Sequence, residues 1–354
     1  MCNIHHKCNA CSFSNGTHQE IWSKKLDKAI NILSIDKNES ITLHPHDQLH
    51  YRKKSLLHVD SSIIPPKIGL IQNNDVVNIN NCPLHLESIN ELIEITKYSL
   101  PHFDKFPLKS ILFNDDAIVL VIKDHYNKLP QYIELAKNIF TERDFPNLYL
   151  HLNPATGNKV FLKSYLYPIY GEIFLRNELG YWYHPLAFQQ QISSIHIESL
   201  QISIDYLKRN ENLLDLYCGI GIMSANAKRY FKSIIGVEQS PVSIECSKKN
   251  SFNTNFYTGN VETIINHIIS ENSTFFNNYS LYVNPPRSGM GEQVIEKILK
   301  SPPKLIAYLS CNPKSLNKDL MYLKNHYVIN HIHFFDFLPY TNNIETLVLM
   351  ELKL

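Results

Sequence analysis

The chain has 354 residues, with 34 Lys+Arg against 33 Asp+Glu, so its formal net charge is +1. Hydrophobic residues make up 44% and charged residues 19%, an ordinary globular mixture that excludes wholesale disorder. Apolar runs fall short of the ~18 residues of a membrane span, and the near-neutral balance excludes a uniformly basic nucleic-acid glue, though not a local basic groove.

Length allows two or three domains. We expect an N-terminal segment at 1–90, the remainder of the same α+β domain at 91–185, and a catalytic domain at 186–354. Met1 to Ala10 is polar and is not a signal peptide, so a cytoplasmic location with no membrane partner is expected. Seven cysteines in a long chain argue for metal binding or catalysis over a disulfide framework. Cys2, Cys8 and Cys11 crowd the start and Cys82 follows downstream. Four thiolates suit an iron–sulfur cluster or tetrahedral zinc, whereas the nearby His5, His6 and His85 are the kind of lone histidines that more often serve as surface or core residues. A basic stretch, Tyr51-Arg52-Lys53-Lys54, comes between them.

From about Glu91 to Gly180, short alternating runs flank one helical segment. Residues 117–122 read as a buried strand, 130–139 as a helix and 160–175 as strands joined by turns. Residues 193–208 carry helical apolar spacing, and the domain boundary should lie near 183–193. Beyond Asn210, strands at 213–217, 233–238, 256–259, 281–284 and 305–310 alternate with helices, among them one reaching about 230 and one at 241–250. That alternation predicts a parallel sheet covered on both faces. Strands at 327–335 and 345–352 leave no room for a helix between them and should pair as an antiparallel hairpin.

Glycine is scarce, at 11 residues. Gly219 and Gly221 stand in Asp215-Leu216-Tyr217-Cys218-Gly219-Ile220-Gly221, after one predicted strand and before a helix, where the backbone must turn tightly and approach a ligand. Glu238 ends the next strand and could accept both hydroxyls of a ribose. Ser224 replaces the third glycine of a dinucleotide fingerprint, and a nucleoside without pyrophosphate, such as S-adenosylmethionine, does not need it. The alternative is a plain glycine turn beside a solvated Glu. Asn284-Pro285-Pro286-Arg287 and Ser310-Cys311-Asn312 end later strands at the sheet's carboxyl edge, where open α/β sheets bind ligands. Cys311 is placed there for nucleophilic attack, and Arg287 for a phosphate or carbonyl partner. Glu345 opens the last strand after a polar turn.

Together these residues resemble the RNA uracil-5-methyltransferases of the TrmA, RlmC and RlmD type, most of all from Ala187 onward. The resemblance implies a Rossmann-like class I methyltransferase domain with a C-terminal antiparallel hairpin, preceded by a smaller α+β RNA-facing domain. It implies that Cys2, Cys8, Cys11 and Cys82 hold a [4Fe–4S] cluster. Phe188-Gln189-Gln190-Gln191-Ile192 is similar to the family's Phe-x-Gln-x-Asn element, with Ile192 in place of Asn, which makes Gln190 a cofactor contact. Tyr51-Arg52-Lys53-Lys54 is similar to its Arg-Asn-Lys segment, with Lys53 in place of Asn. Asn343 stands where the family often has His. No β-barrel module precedes the cysteines, which looks most like the shorter 23S rRNA branch.

The chemistry so implied is methylation of uracil C5. S-adenosylmethionine would be held by Gln190, Tyr217, Gly219, Glu238 and Asn284. Cys311 would add to C6 and Glu345 would remove the C5 proton. Arg52, Lys54 and Arg287 are candidate RNA contacts, and the base would have to be splayed from its stack. No obligate protein partner is evident. The alternatives are the same chemistry on the T-loop uridine of tRNA, a non-catalytic RNA-binding protein with a zinc site, and an iron–sulfur oxidoreductase.

Overall fold

The computed structural model describes residues 2, 4–13, 16–35, 39–101, 106–115, 117–155, 157, 159–162 and 165–353. The chain divides into two compact units: Met1–Asn15 with Gln48–Leu175, and Gly16–Asp47 with Arg176–Leu354. Residues 16–47, which the sequence places with the N-terminal segment, therefore fold with the C-terminal unit.

The C-terminal unit is built on eight strands. They are β1 (Ile41–His44), β2 (Asn212–Leu216), β3 (Ser233–Glu238), β4 (Asn255–Thr258), β5 (Tyr279–Val283), β6 (Leu305–Ser310), β7 (Tyr327–Phe335) and β8 (Glu345–Leu352). Their order in the sheet is β1-β7-β8-β6-β5-β2-β3-β4. β8 runs antiparallel to both β6 and β7, and the other pairings are parallel. The expected terminal hairpin is present, with Phe335 opposite Glu345. β2, β5 and β6 are nearly continuous apolar runs because a parallel sheet is buried on both faces.

The helices are α1 (His18–Leu33), α2 (Ser193–Leu207), α3 (Ile222–Ala227), α4 (Pro241–Asn250), α5 (Val261–Glu271), α6 (Glu292–Leu299) and α7 (Pro313–Leu323). Helix α1 was not expected from periodicity. Its start has a local signature nonetheless: Thr17 accepts from the Glu20 backbone while the Glu20 side chain accepts from Thr17, a capping box. Trp22, Ala29 and Leu33 join the core formed by Leu214, Leu281 and Ile306, and α1 packs against α7.

A buried charge network fixes that docking. Asp336, with no exposed surface, accepts from Lys25 Nζ and lies 2.9 Å from His18 Nε2. Burial lowers the Lys25 pKa, and the charge and hydrogen bond of Asp336 oppose that shift. Removing one partner of such a pair costs more than the pair itself contributes. We expect Asp336→Asn to lower unfolding stability by about 3–5 kcal/mol in urea titrations. A loss below about 1 kcal/mol would show that the network does not hold α1.

The N-terminal unit contains a seven-stranded sheet in the order Asp75–Asn78, Lys67–Gln72, Lys54–Asp60, Leu108–Asn114, Ala117–Ile122, Leu148–Leu152, Tyr167–Tyr170. Only Ala117–Ile122 and Leu148–Leu152 are parallel, and the helix Leu129–Ile139 makes their crossover. A second helix, Glu87–Ser99, was not expected. It buries Ile89 and Ile93 against the sheet. Among the described residues no helix is long and apolar enough to cross a membrane.

Candidate active site

A short turn follows β2. Gly219 and Gly221 have φ of +56° and +77°, and Tyr217, an aromatic residue, is held at +60°. A bulky side chain in that region is a local strain of the kind that gathers at ligand sites. At Gly221 an added Cβ would lie 2.7 Å from the Ser247 Cβ on α4, so only glycine fits. At Gly219 an added Cβ would meet nothing within 4 Å, which leaves the backbone open to a ligand. Glu238, at the end of β3, accepts from Gly219 N at 3.3 Å and from Ser240 N at 2.8 Å. Its carboxylate is thereby fixed beside the turn, with lone pairs still available.

Trp182, upstream of Gln190, is tied to the same turn by Asn250 of α4. Its side chain accepts from Trp182 N at 2.7 Å and donates to the carbonyls of Trp182 and Ile220, both at 2.9 Å. Position 192 is the N-cap of α2, and Ile192 supplies no side-chain cap. Asn is a preferred N-cap residue, so the departure from the family pattern costs this helix a capping bond.

The two loops at the ends of β5 and β6 are linked by side chains. Asn312 donates through Nδ2 to the Arg287 carbonyl at 2.8 Å and caps α7 by accepting from Lys314 N at 3.1 Å. Asp319 of α7 accepts from Met290 N at 2.7 Å, Gly291 N at 3.1 Å and the Tyr308 hydroxyl at 2.6 Å. The Arg287 loop and the Cys311 loop are thus held as one piece. Arg287 also donates to Asn343 Oδ1 at 3.2 Å, which connects it to the turn before Glu345.

These elements enclose a cavity of about 470 Å³, lined by Gln190, Tyr217, Gly219, Glu238 and Asn284 together with Arg287, Cys311 and Glu345. Sequence reasoning named all eight, and the C-terminal unit brings them together. It did not assign two further lining groups, Asp215 and Tyr282. Asp215 Oδ2 accepts from Ser224 at 2.7 Å, while Asp215 Oδ1, the Tyr282 hydroxyl and Glu345 Oε2 are buried without a hydrogen-bond partner. Orphaned polar atoms around one cavity call for a polar ligand. With apolar wall from Ile220 and Met223, the lining fits a nucleoside bearing a charged amino-acid tail.

Burial and charge set several of these lining groups apart. Burial pushes Glu345 up to about 8, with Arg287 pulling the other way. Burial and then the Glu345 charge raise the Cys311 thiol, again opposed by Arg287. Burial carries Asp215 to about 7. Cys218 is buried, with its thiol raised well above the ordinary value, which suits packing rather than attack.

Arg52 and Lys54 belong to the N-terminal unit and do not line the cavity. Burial pushes the Lys54 ammonium down to about 8. Burial and then the Arg52 charge lower the His85 imidazole to about 4, and the same charge opposes the rise of the Cys8 and Cys82 thiols. Cys8 and Cys82 are raised by burial, Cys8 further by Cys11 and Cys2, and Cys82 by Cys11. None of the described cysteines forms a disulfide. Among the described residues, no three His, Cys, Asp or Glu side chains converge on a point that could hold one metal ion. His85 is buried and bonded to Ser55 Oγ at 2.8 Å, a core role.

The family model described as tRNA (Uracil-5-)-methyltransferase matches residues 155–353. The chain belongs to this family. It is an S-adenosylmethionine-dependent RNA (uracil-C5)-methyltransferase with the class I α/β fold. An uncharacterized RNA methyltransferase of Clostridium acetobutylicum is 27% identical, covering 99% of this chain and 83% of the relative. The 23S rRNA (uracil(1939)-C(5))-methyltransferase RlmD of Aliivibrio fischeri is 24% identical, covering 99% and 82%. Among solved structures, Pyrococcus abyssi tRNA (uracil-54, C5)-methyltransferase in complex with S-adenosyl-L-homocysteine superposes with a TM-score of 0.74 at 20% identity, covering 94% of this chain and 83% of that one.

Proposed function

We propose that this methyltransferase acts on a uridine of 23S rRNA through a covalent Cys311 adduct. The observation that carries the mechanism is the convergence of Cys311, Glu345 and Arg287 on the cavity lined by Gly219 and Glu238. Uracil C5 is a poor nucleophile. Addition of the Cys311 thiolate to C6 moves the C5–C6 electron pair into an enolate, and C5 then attacks an electrophilic methyl group. S-adenosylmethionine would supply that methyl and would leave as the thioether S-adenosylhomocysteine. Glu238 would accept the ribose hydroxyls, and Gln190, Tyr217, Gly219 and Asn284 would orient the rest. Glu345 then takes the C5 proton, the C5–C6 double bond reforms, and the thiolate is expelled. Arg287 holds charge beside both Cys311 and Glu345, and with Arg52 and Lys54 is a candidate RNA contact.

The rRNA assignment is supported by the Aliivibrio relative and by the cysteine set. Cys2, Cys8, Cys11 and Cys82 are proposed to hold a structural [4Fe–4S] cluster. Each thiolate of such a cluster binds a different iron, so the four need not converge on one point. Mass mapping of 23S rRNA and tRNA after incubation with anaerobically purified protein tests both readings, combined with iron and sulfide analysis. We expect 5-methyluridine in 23S rRNA, and iron that is lost in Cys82→Ser. Methylation confined to tRNA would overturn the substrate assignment, and colourless zinc would overturn the cluster.

A further inference from the structure

A second cavity, of about 230 Å³, also reaches Cys311. Cys311 and Arg287 line both cavities. The smaller one adds Lys25 and Lys28 from α1, Lys314 from α7 and the amide side chains of Asn312, Asn342 and Asn343. Its lining contains no carboxylate. Lys25 is neutralised by Asp336. Lys28 and Lys314 are exposed and make no ion pair among the described residues, so their charges are available to a ligand.

Chemistry fixes what must stand here. The target base has to present C6 to Cys311 while C5 faces the methyl donor in the larger cavity. Its sugar and phosphates must then leave on a side that the donor does not fill. We propose that the smaller cavity seats the phosphodiester backbone at the target uridine, with Lys28 and Lys314 as its cationic contacts. This rests on the covalent uracil-methylation reading above and adds two residues to it. One of them lies on α1, a helix contributed from the far end of the sequence. Lysines that neutralise phosphate position the nucleic acid without reading its sequence.

The test uses a short RNA containing the uridine that the wild-type enzyme methylates. Lys28→Gln and Lys314→Gln should each raise KM for this RNA several-fold. Each should also reduce the slope of log(kcat/KM) against log[salt] by about one. Affinity for S-adenosylhomocysteine should not change, and Lys28→Arg and Lys314→Arg should keep the wild-type slope. Lys24→Gln, on the same helix but outside the cavity lining, is the control. Methylphosphonate at the phosphates bracketing the uridine should weaken the wild type and have little further effect on the double variant, because the two changes remove one interaction. Unchanged salt slopes, or strictly additive losses with methylphosphonate, would overturn the inference while leaving methylation intact. If the wild type forms no Cys311 adduct with any uridine RNA, the mechanism fails instead.

Discussion

Cys311→Ala is expected to abolish methylation, lowering kcat on the order of 10⁴-fold or more, and to abolish covalent trapping of RNA carrying 5-fluorouridine. The reason is chemical: without a thiolate at C6, no electron pair is pushed toward C5, and nothing else lining the cavity can supply one. Cys218 also lines it, but burial holds that thiol protonated and its place is in the cofactor turn. Fluorine at C5 cannot leave as a proton, so the wild-type enzyme should accumulate an adduct that survives denaturing electrophoresis. The fold should tolerate the change, because Cys311 is only partly buried and follows β6 rather than filling its core. Methylation by Cys311→Ala at the wild-type rate would refute covalent catalysis here.

Glu345→Gln should stop the reaction one step later. C5 would be methylated but could not lose its proton, so a methylated adduct should build up on unmodified RNA and turnover should fall about 10²–10⁴-fold. The pH profile has a worked sign. Glu345 is held as the acid up to about 8, and the Cys311 thiol is raised as well. Both must be ionised to act, so kcat/KM of the wild type should climb from pH 6 to 9, and a flat profile would contradict the assignment.

Stability should move the opposite way. The unfolded carboxyl ionises near 4.5, the folded one near 8, so the folded state binds more protons between those values. Wild-type stability contributed by Glu345 is complete below about pH 4.5. It falls as pH rises towards 8, at up to about 1.4 kcal/mol per pH unit. Glu345→Gln has no such slope and should be the more stable protein at pH 8 in parallel urea titrations. A carboxyl buried at this position is thus kept at a cost in stability.

The site was legible to the extent that its signals are local. A short apolar run followed by Asp-Leu-Tyr-Cys-Gly-Ile-Gly, Asn-Pro-Pro-Arg or Ser-Cys-Asn marks a strand end. The rule that ligands bind at carboxyl edges gathers such ends into one place. Residues 233–238, 241–250, 305–310 and 345–352 coincide with β3, α4, β6 and β8 for the same reason. Less was legible in residues 16–47. There a buried Lys25 interrupts the apolar face of α1, and β1 shows little burial along its length.

Sequence alone determined the residue types at the sheet edge, their order, and the chemistry that a thiol, a carboxylate and a glycine turn can perform together. Those properties travel with the residue and its immediate neighbours. Tertiary structure decided the rest. It folded α1 against α7, bonded Asn312 to the Arg287 loop, and withdrew Glu345 from water until its carboxyl held a proton near neutrality. It also opened a basic cavity lined in part by Cys311. Each of these depends on groups far apart in the chain, and desolvation and long-range contact have no local pattern from which they could be read.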